Sequence, residues 1–153
     1  MADPVTVRAA RPDEAPQLTD LAMGAKASWG YDEAFMAQCR DELTLTPEKM
    51  ATWTVWVAEC DGRLAGMIAL ASGDGMAELE DFMVEPGFQG RGVGTALMDA
   101  LLAEARARGL DRIGLDADPN AETIYRKLGF ETVGRSPSRS IPGRPLPRMV
   151  RAL

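Results

Sequence analysis

No histidine occurs among the 153 residues. That removes the commonest general base and metal ligand near neutral pH. A Ser-His-Asp triad and a histidine zinc site are both excluded. Acid–base work must fall to carboxylates, Tyr, Cys, Lys or water. Cysteine is scarce as well: Cys39 and Cys60 are the two present, and their spacing forms no metal-ligand pattern. With no histidine to activate them, they read as small core residues rather than nucleophiles. A reducing, cytoplasmic setting is the simplest for such a chain. No apolar run approaches about 18 residues, so no membrane span is expected. The start, MADPVTVRAARPDEA, lacks the basic and apolar segments of a signal peptide. Positive charge is in deficit, with 17 Lys and Arg against 23 Asp and Glu, a net charge of -6. That disfavours nonspecific nucleic-acid binding.

The charge is uneven along the chain. Residues 135 to 153 hold Arg135, Arg139, Arg144, Arg148 and Arg151 and no acid. This end either balances an acidic body or forms a wall that attracts an anion. Length and composition fit one domain over residues 1 to 153. Val5, Val7 and Ala9 alternate with polar residues as a first strand. Pro12-Asp13-Glu14-Ala15 starts a helix that should end at Met23 or Gly24. Asp32 should cap a helix over 33–43, and Thr46 before Pro47, with Lys49 following, starts another short turn. Strands follow at 54–60, 64–71 and 77–84. Asp61-Gly62 and Gly73-Asp74-Gly75 are the turns of this antiparallel meander. Val93, Leu97, Leu101 and Leu102 set a helical period over 92–108, and Gly109 ends it. A strand at 113–117, a helix at 119–128, and strands near 130–133 and 147–153 complete an α/β arrangement.

Between the third meander strand and the long helix lies Gln89-Gly90-Arg91-Gly92-Val93-Gly94. Glycines let a backbone approach a ligand closely, and a helix start offers free N–H groups to an anion. The spacing is neither a Walker A loop nor a GxGxxG dinucleotide fingerprint. The flanks narrow the reading. Val84-Glu85-Pro86 precedes the loop, and Asp118-Pro119-Asn120-Ala121 leads into Ile124-Tyr125-Arg126-Lys127-Leu128-Gly129-Phe130. These two blocks, at this separation, resemble the GNAT superfamily of acyl-CoA-dependent N-acetyltransferases, and the element order agrees along nearly the whole chain.

The resemblance implies a mixed, strongly twisted central sheet of six to seven strands with helices on both faces. It implies acetyl-CoA as the donor. The backbone amides of Gln89, Gly90, Arg91, Gly92, Val93 and Gly94 would hold the pyrophosphate. The strand at Phe82, Met83 and Val84 would pair with the pantetheine arm. Asn120 matches a residue that contacts that arm, and Tyr125 matches the proton donor to the leaving thiolate. Trp29 and Tyr31 fall in the region that covers the acceptor. The reaction implied is direct transfer to a primary amine, with no acyl-enzyme and no metal. A homodimer would cover the sheet edges and apolar surfaces this fold leaves open.

An alkyl ammonium, with a pKa of about 10, must lose a proton before it attacks. Glu78, Glu80 and Asp81 are the local carboxylates. Strict alternation puts Glu78 and Glu80 on one face and Asp81 on the other. Glu80 is preferred as base because it is central in the strand. Arg139 and Arg144 either meet an acidic acceptor or pair with the protein's own acids. The acceptor is expected to be a small-molecule amine. A peptide or protein amine, and a non-catalytic acyl-CoA-binding module, are the alternative readings.

Overall fold

The computed structural model describes residues 4–72 and 76–153, so the expected Gly73-Asp74-Gly75 turn lies outside the described residues. β1 (Thr6–Ala9) leads through a 3-10 turn at Pro12–Glu14 into α1 (Ala15–Ala27). This helix runs past its expected end at Gly24, because the next turn still buries Ala25 against the core. α2 (Glu33–Leu43) starts at Asp32, whose carboxylate accepts the Phe35 N–H. α3 (Pro47–Thr52) starts at Thr46, whose hydroxyl accepts the Lys49 N–H. The Asp32 cap stands where the sequence places it, and the turn expected at Thr46-Pro47 is a capped six-residue helix.

β2 (Thr54–Cys60), β3 (Arg63–Ala71) and β4 (Met76–Val84) form the meander. Asp61 and Gly62 both take positive φ, at 58° and 70°, as a two-residue hairpin turn requires. α4 (Val93–Ala107) crosses to β5 (Arg112–Asp116), and α5 (Glu122–Lys127) follows. β6 (Glu131–Pro137) and β7 (Pro145–Ala152) end the chain. The sheet has seven strands in the order β1-β2-β3-β4-β5-β7-β6. The β4–β5 pair is parallel and its neighbours are antiparallel, so the sheet is mixed. β7 enters between β5 and β6, a crossing the chain order alone does not reveal.

β3 is the spine of the core. Its alternate residues pack on opposite faces: Met67 and Ala69 against Leu18 and Leu21 of α1, Ile68 and Leu70 with Leu97 and Leu101 of α4. Both sets are buried, so the run LAGMIALA is apolar nearly throughout. Gly66 marks a tight approach. A Cβ there would sit 2.8 Å from the Met83 carbonyl oxygen and 2.9 Å from Val93 Cγ1. The glycine thus lets β3 and β4 reach the start of α4.

Two features of β4 shape the cavity beside it. Among the described residues its ladder with β5 covers Met76–Glu78 against Arg112–Gly114, and beyond Glu78 the strands part. It also carries a bulge: Asp81 pairs with Ala69 and Leu79 with Leu70, leaving Glu80 as the extra residue. Before the bulge, Ala77 and Leu79 pack on the α4 side; after it, Phe82 and Val84 do. Side-chain parity therefore reverses at Glu80, which corrects the strict alternation read from the sequence.

The Gly66 contacts predict that Gly66→Ala destabilises the fold by about 1–3 kcal/mol through overpacking. Gly24→Ala, in α1 with open space around the new methyl, should stabilise it by about 0.4–1 kcal/mol. Urea unfolding of both variants checks the opposite signs.

Candidate functional site

The parting of β4 from β5 opens a cavity of about 1060 Å³. At one end lies the glycine loop. Phe88 is buried and pins it, with the guanidinium of Arg63 5.1 Å and that of Arg91 5.4 Å from its ring centre. Gly90 and Gly92 both take φ of 81°, a region costly for other residues. Gly92 is also the N-cap of α4 and supplies no side-chain cap. The first N–H groups of a fifteen-residue helix are thus left without a side-chain cap, at the positive end of its dipole. Gly92, Val93, Gly94 and Thr95 all line the cavity there. This geometry fits a pyrophosphate. Beyond Glu78, the edge of β4 along Phe82–Val84 has no β5 partner, and its backbone can pair with an extended ligand arm.

Tyr125 lines the same cavity. It is buried, with its ring 6.0 Å from Phe82 and edge-on to Phe130 at 5.7 Å. Burial, then the charges of Asp81 and Asp118, push its phenol well above the usual range. It is a neutral O–H donor at any physiological pH.

The bulge brings Glu80 and Asp81 to the same cavity. Burial raises the Glu80 carboxyl above the ordinary range, and Arg139, 3.7 Å away, partly opposes it. Asp81 is only 6% exposed, and its Oδ2 is buried without a hydrogen-bond partner among the described residues. Burial pushes it up to about 7; Lys49 lowers it while Glu80 and Glu42 raise it further. Glu78, the third carboxylate in question, instead holds Arg148 on β7 through Nη1 at 2.8 Å, and does not line the cavity.

A polar cluster closes one wall. Asp118 accepts Lys26 Nζ at 2.6 Å, the Tyr31 hydroxyl at 2.8 Å and the Asn120 N–H at 2.8 Å. Arg144 donates to the Tyr31 oxygen and stacks over the rings of Tyr31 and Phe35, 5.1 and 4.9 Å from their centres. Burial alone would raise Asp118, but Lys26, Asn120 and Tyr31 hold it below the ordinary carboxylate range. The cluster ties α1, the α1–α2 loop, the β5–α5 junction and the β6–β7 loop together.

Most residues singled out by sequence meet at this cavity. Glu80, Tyr125, Phe82, Met83 and Val84 line it, as do Gln89, Gly90, Gly92, Val93 and Gly94. Trp29, Arg139 and Arg144 line it too. Arg91, Tyr31 and Asn120 do not. The Arg91 side chain turns toward Asp61, 3.6 Å away. Tyr31 stands behind the wall in the Asp118 cluster, and the Asn120 amide donates to its hydroxyl at 2.9 Å. Arg144 pairs with the protein's own Tyr31 and Asp118 rather than standing free. Asp81 is the group that alternation misplaced, and only the bulge reveals it. Asp118 carried a sequence signal, the Asx turn of Asp-Pro-Asn, but its partners Lys26 and Tyr31 lie 92 and 87 positions away.

Residues 18–130 match the Acetyltransferase (GNAT) family. Among curated relatives, serotonin N-acetyltransferase 2, chloroplastic, of Oryza sativa subsp. japonica is 41% identical over 81 residues, covering 50% of this chain and 40% of that protein. The chain thus spans well under two thirds of that relative's length. Among solved structures, a GCN5-related N-acetyltransferase from Rhodopseudomonas palustris superposes with a TM-score of 0.82 at 24% identity, covering 100% of this chain and 98% of that one. The PaiA N-acetyltransferase from Thermoplasma acidophilum, in complex with coenzyme A, gives 0.80 at 16% identity, over 98% and 99% of the two chains. At these identities the structural likeness shows the fold, and the mixed twisted sheet with flanking helices is the one they share. With the family match spanning most of the sequence and the fold agreeing end to end, this chain belongs to the GNAT family of acetyltransferases.

Proposed function

We propose that the protein transfers the acetyl group of acetyl-CoA directly to a primary amine of a small molecule. The observation that carries this reading is one cavity that joins the uncapped start of α4 to Tyr125, Glu80 and Asp81. The amide groups from Gln89 to Gly94 hold the pyrophosphate, and Phe82–Val84 pairs with the pantetheine arm. Arg91 contributes through its backbone only, since its side chain faces Asp61. Asn120 acts from outside the cavity by fixing Tyr31. The serotonin in the name of the rice relative is a small amine, in keeping with a cavity of this size.

Bound acetyl-CoA supplies the thioester. The acceptor enters as an ammonium, and the carboxylates at the bulge take its proton. Asp81 is the better placed of the two. Its Oδ2 has no other partner among the described residues, and its affinity for a proton suits a base working near neutral pH. Glu80 lies beside it and helps hold the cation, with Arg139 modulating its charge. The freed nitrogen attacks the thioester carbonyl, a C–N bond forms and the C–S bond breaks. Tyr125 gives its proton to the departing sulfur and regains one from the nitrogen as the amide forms. Neither Cys39 nor Cys60 is needed as a nucleophile; the Sγ of Cys39 accepts from the Ser140 hydroxyl at 3.8 Å.

Release of coenzyme A on mixing acetyl-CoA with an amine library tests the reading. Tight coenzyme binding with no turnover of any amine would instead favour a non-catalytic acyl-CoA-binding module. Tyr125→Phe should lower kcat by about 10–100-fold with coenzyme affinity within about threefold.

Asp81 ties activity to stability. Its folded pKa, about 7, lies above the ordinary value of 3.8, so the folded state binds the extra proton. Folding stability therefore falls as pH rises from about 4 to about 7, and the full penalty stands above that window. Asp81→Asn should be more stable than the wild type at pH 8, by on the order of 2–4 kcal/mol, with the gain vanishing near pH 4. The same variant should lose about 100-fold or more in kcat/KM, along with the acidic limb of the pH–rate profile near 7. Thermal melts and kinetics across pH check both halves.

A further inference from the structure

The charges that line the acceptor end of the cavity are not balanced in their availability. Each of the four cations among the described lining residues is already committed. Lys26 bonds Asp118 at 2.6 Å, and Arg144 is held by Tyr31 and Asp118. Lys49 donates to the carbonyls of Glu42 and Thr44 at 2.6 and 3.0 Å, which close the C-terminal end of α2. Arg139 lies 3.7 Å from Glu80.

The acids are not. Asp81 lines the cavity, and its Oδ2 is buried with no partner among the described residues. Asp41 and Glu42, in the last turn of α2, also line it, and no ion pair engages their carboxylates among the described residues. They stand at the C-terminal end of α2, whose last carbonyls Lys49 already holds. Among the charges acting on Asp81, Lys49 lowers its proton affinity, and Glu80 and then Glu42 raise it. Two acidic stations therefore face one cavity, one deep and one at the rim. Trp29, 44% exposed, adds an aromatic surface to the same wall, and a cation can lie over such a ring.

A monoamine satisfies the deep station alone. An amino acid brings a carboxylate toward acids, where each described cation is already engaged. We infer that the acceptor is a linear diamine or polyamine: one ammonium is deprotonated at Asp81 and acetylated, while a second rests at the rim against Asp41 and Glu42. This rests on the acetyltransferase reading above and names its substrate class. Product release follows from the same charges, since the acetylated end has lost its cation and no longer binds the deep station.

Three four-carbon acceptors test this with the full chain and acetyl-CoA: 1,4-diaminobutane, n-butylamine and 4-aminobutanoate. The expected kcat/KM for the diamine is at least about tenfold above butylamine, well beyond the roughly twofold that its two equivalent amines give. Butylamine should in turn exceed 4-aminobutanoate by about tenfold or more. Glu42→Gln should lower the diamine's kcat/KM at least about tenfold more than it lowers butylamine's. Equal use of diamine and butylamine, preference for 4-aminobutanoate, or an equal effect of Glu42→Gln on both amines overturns the inference while leaving acetyl transfer intact. If no amine is turned over, calorimetry of the same three compounds on coenzyme-saturated protein decides. The same order of affinity supports the diamine site, and equal or absent binding contradicts it.

Discussion

The divergence of β4 from β5 beyond Glu78 is the constraint on which the site depends. A parallel pair that continued would bury the edge of Phe82–Val84 in a ladder and leave no cavity. Here the edge stays open, α4 begins beside it, and α5 brings Tyr125 across the gap. The breach is stabilised on both sides. Arg148 on β7 clasps Glu78 at the last paired position of β4 and reaches Asp116 at 3.3 Å on β5. Beyond it, the Asp118 cluster binds the far wall to α1 and the β6–β7 loop. A sheet that must part at its centre is held by ion pairs where it can no longer be held by its ladder.

The bulge at Glu80 is the second device. By adding one residue to β4 it turns Asp81 out of the α4-facing core and into the cavity. The cost is a buried carboxyl with an oxygen that no described protein group satisfies. Such a group is expensive to bury, and proteins retain it where a ligand completes it. The same low-dielectric setting that destabilises the ionised form raises its proton affinity to a useful value. In the proposed mechanism, stability and reactivity trade at this one atom.

Most of the fold was legible in the sequence because its signals are local. Asp32 and Thr46 are N-caps, Asp61-Gly62 can make a hairpin turn, and the apolar spacing of Val93, Leu97 and Leu101 makes a helix. The glycine loop and the Tyr125 segment were legible for the same reason. What was not legible is set by pairing at long range. The insertion of β7 between β5 and β6 leaves no local trace. Nor does the bulge, which depends on how β3 meets β4 and which brings Asp81 to the cavity beside Glu80. The placement of Tyr31, Asn120 and Arg144 depends on one carboxylate, Asp118, far from Tyr31 and Arg144 in the chain.

If the donor loop, Tyr125 and Asp81 serve one reacting centre, a bisubstrate analogue must touch all three at once. A crystal structure with an amine joined through an acetyl bridge to the sulfur of coenzyme A tests this most directly. The pyrophosphate is expected on the N–H groups between Gln89 and Gly94. The amine nitrogen is expected within about 3.2 Å of Asp81 Oδ2, with the Tyr125 hydroxyl at the sulfur. A pyrophosphate bound elsewhere, or an amine nitrogen remote from Asp81, contradicts the shared centre.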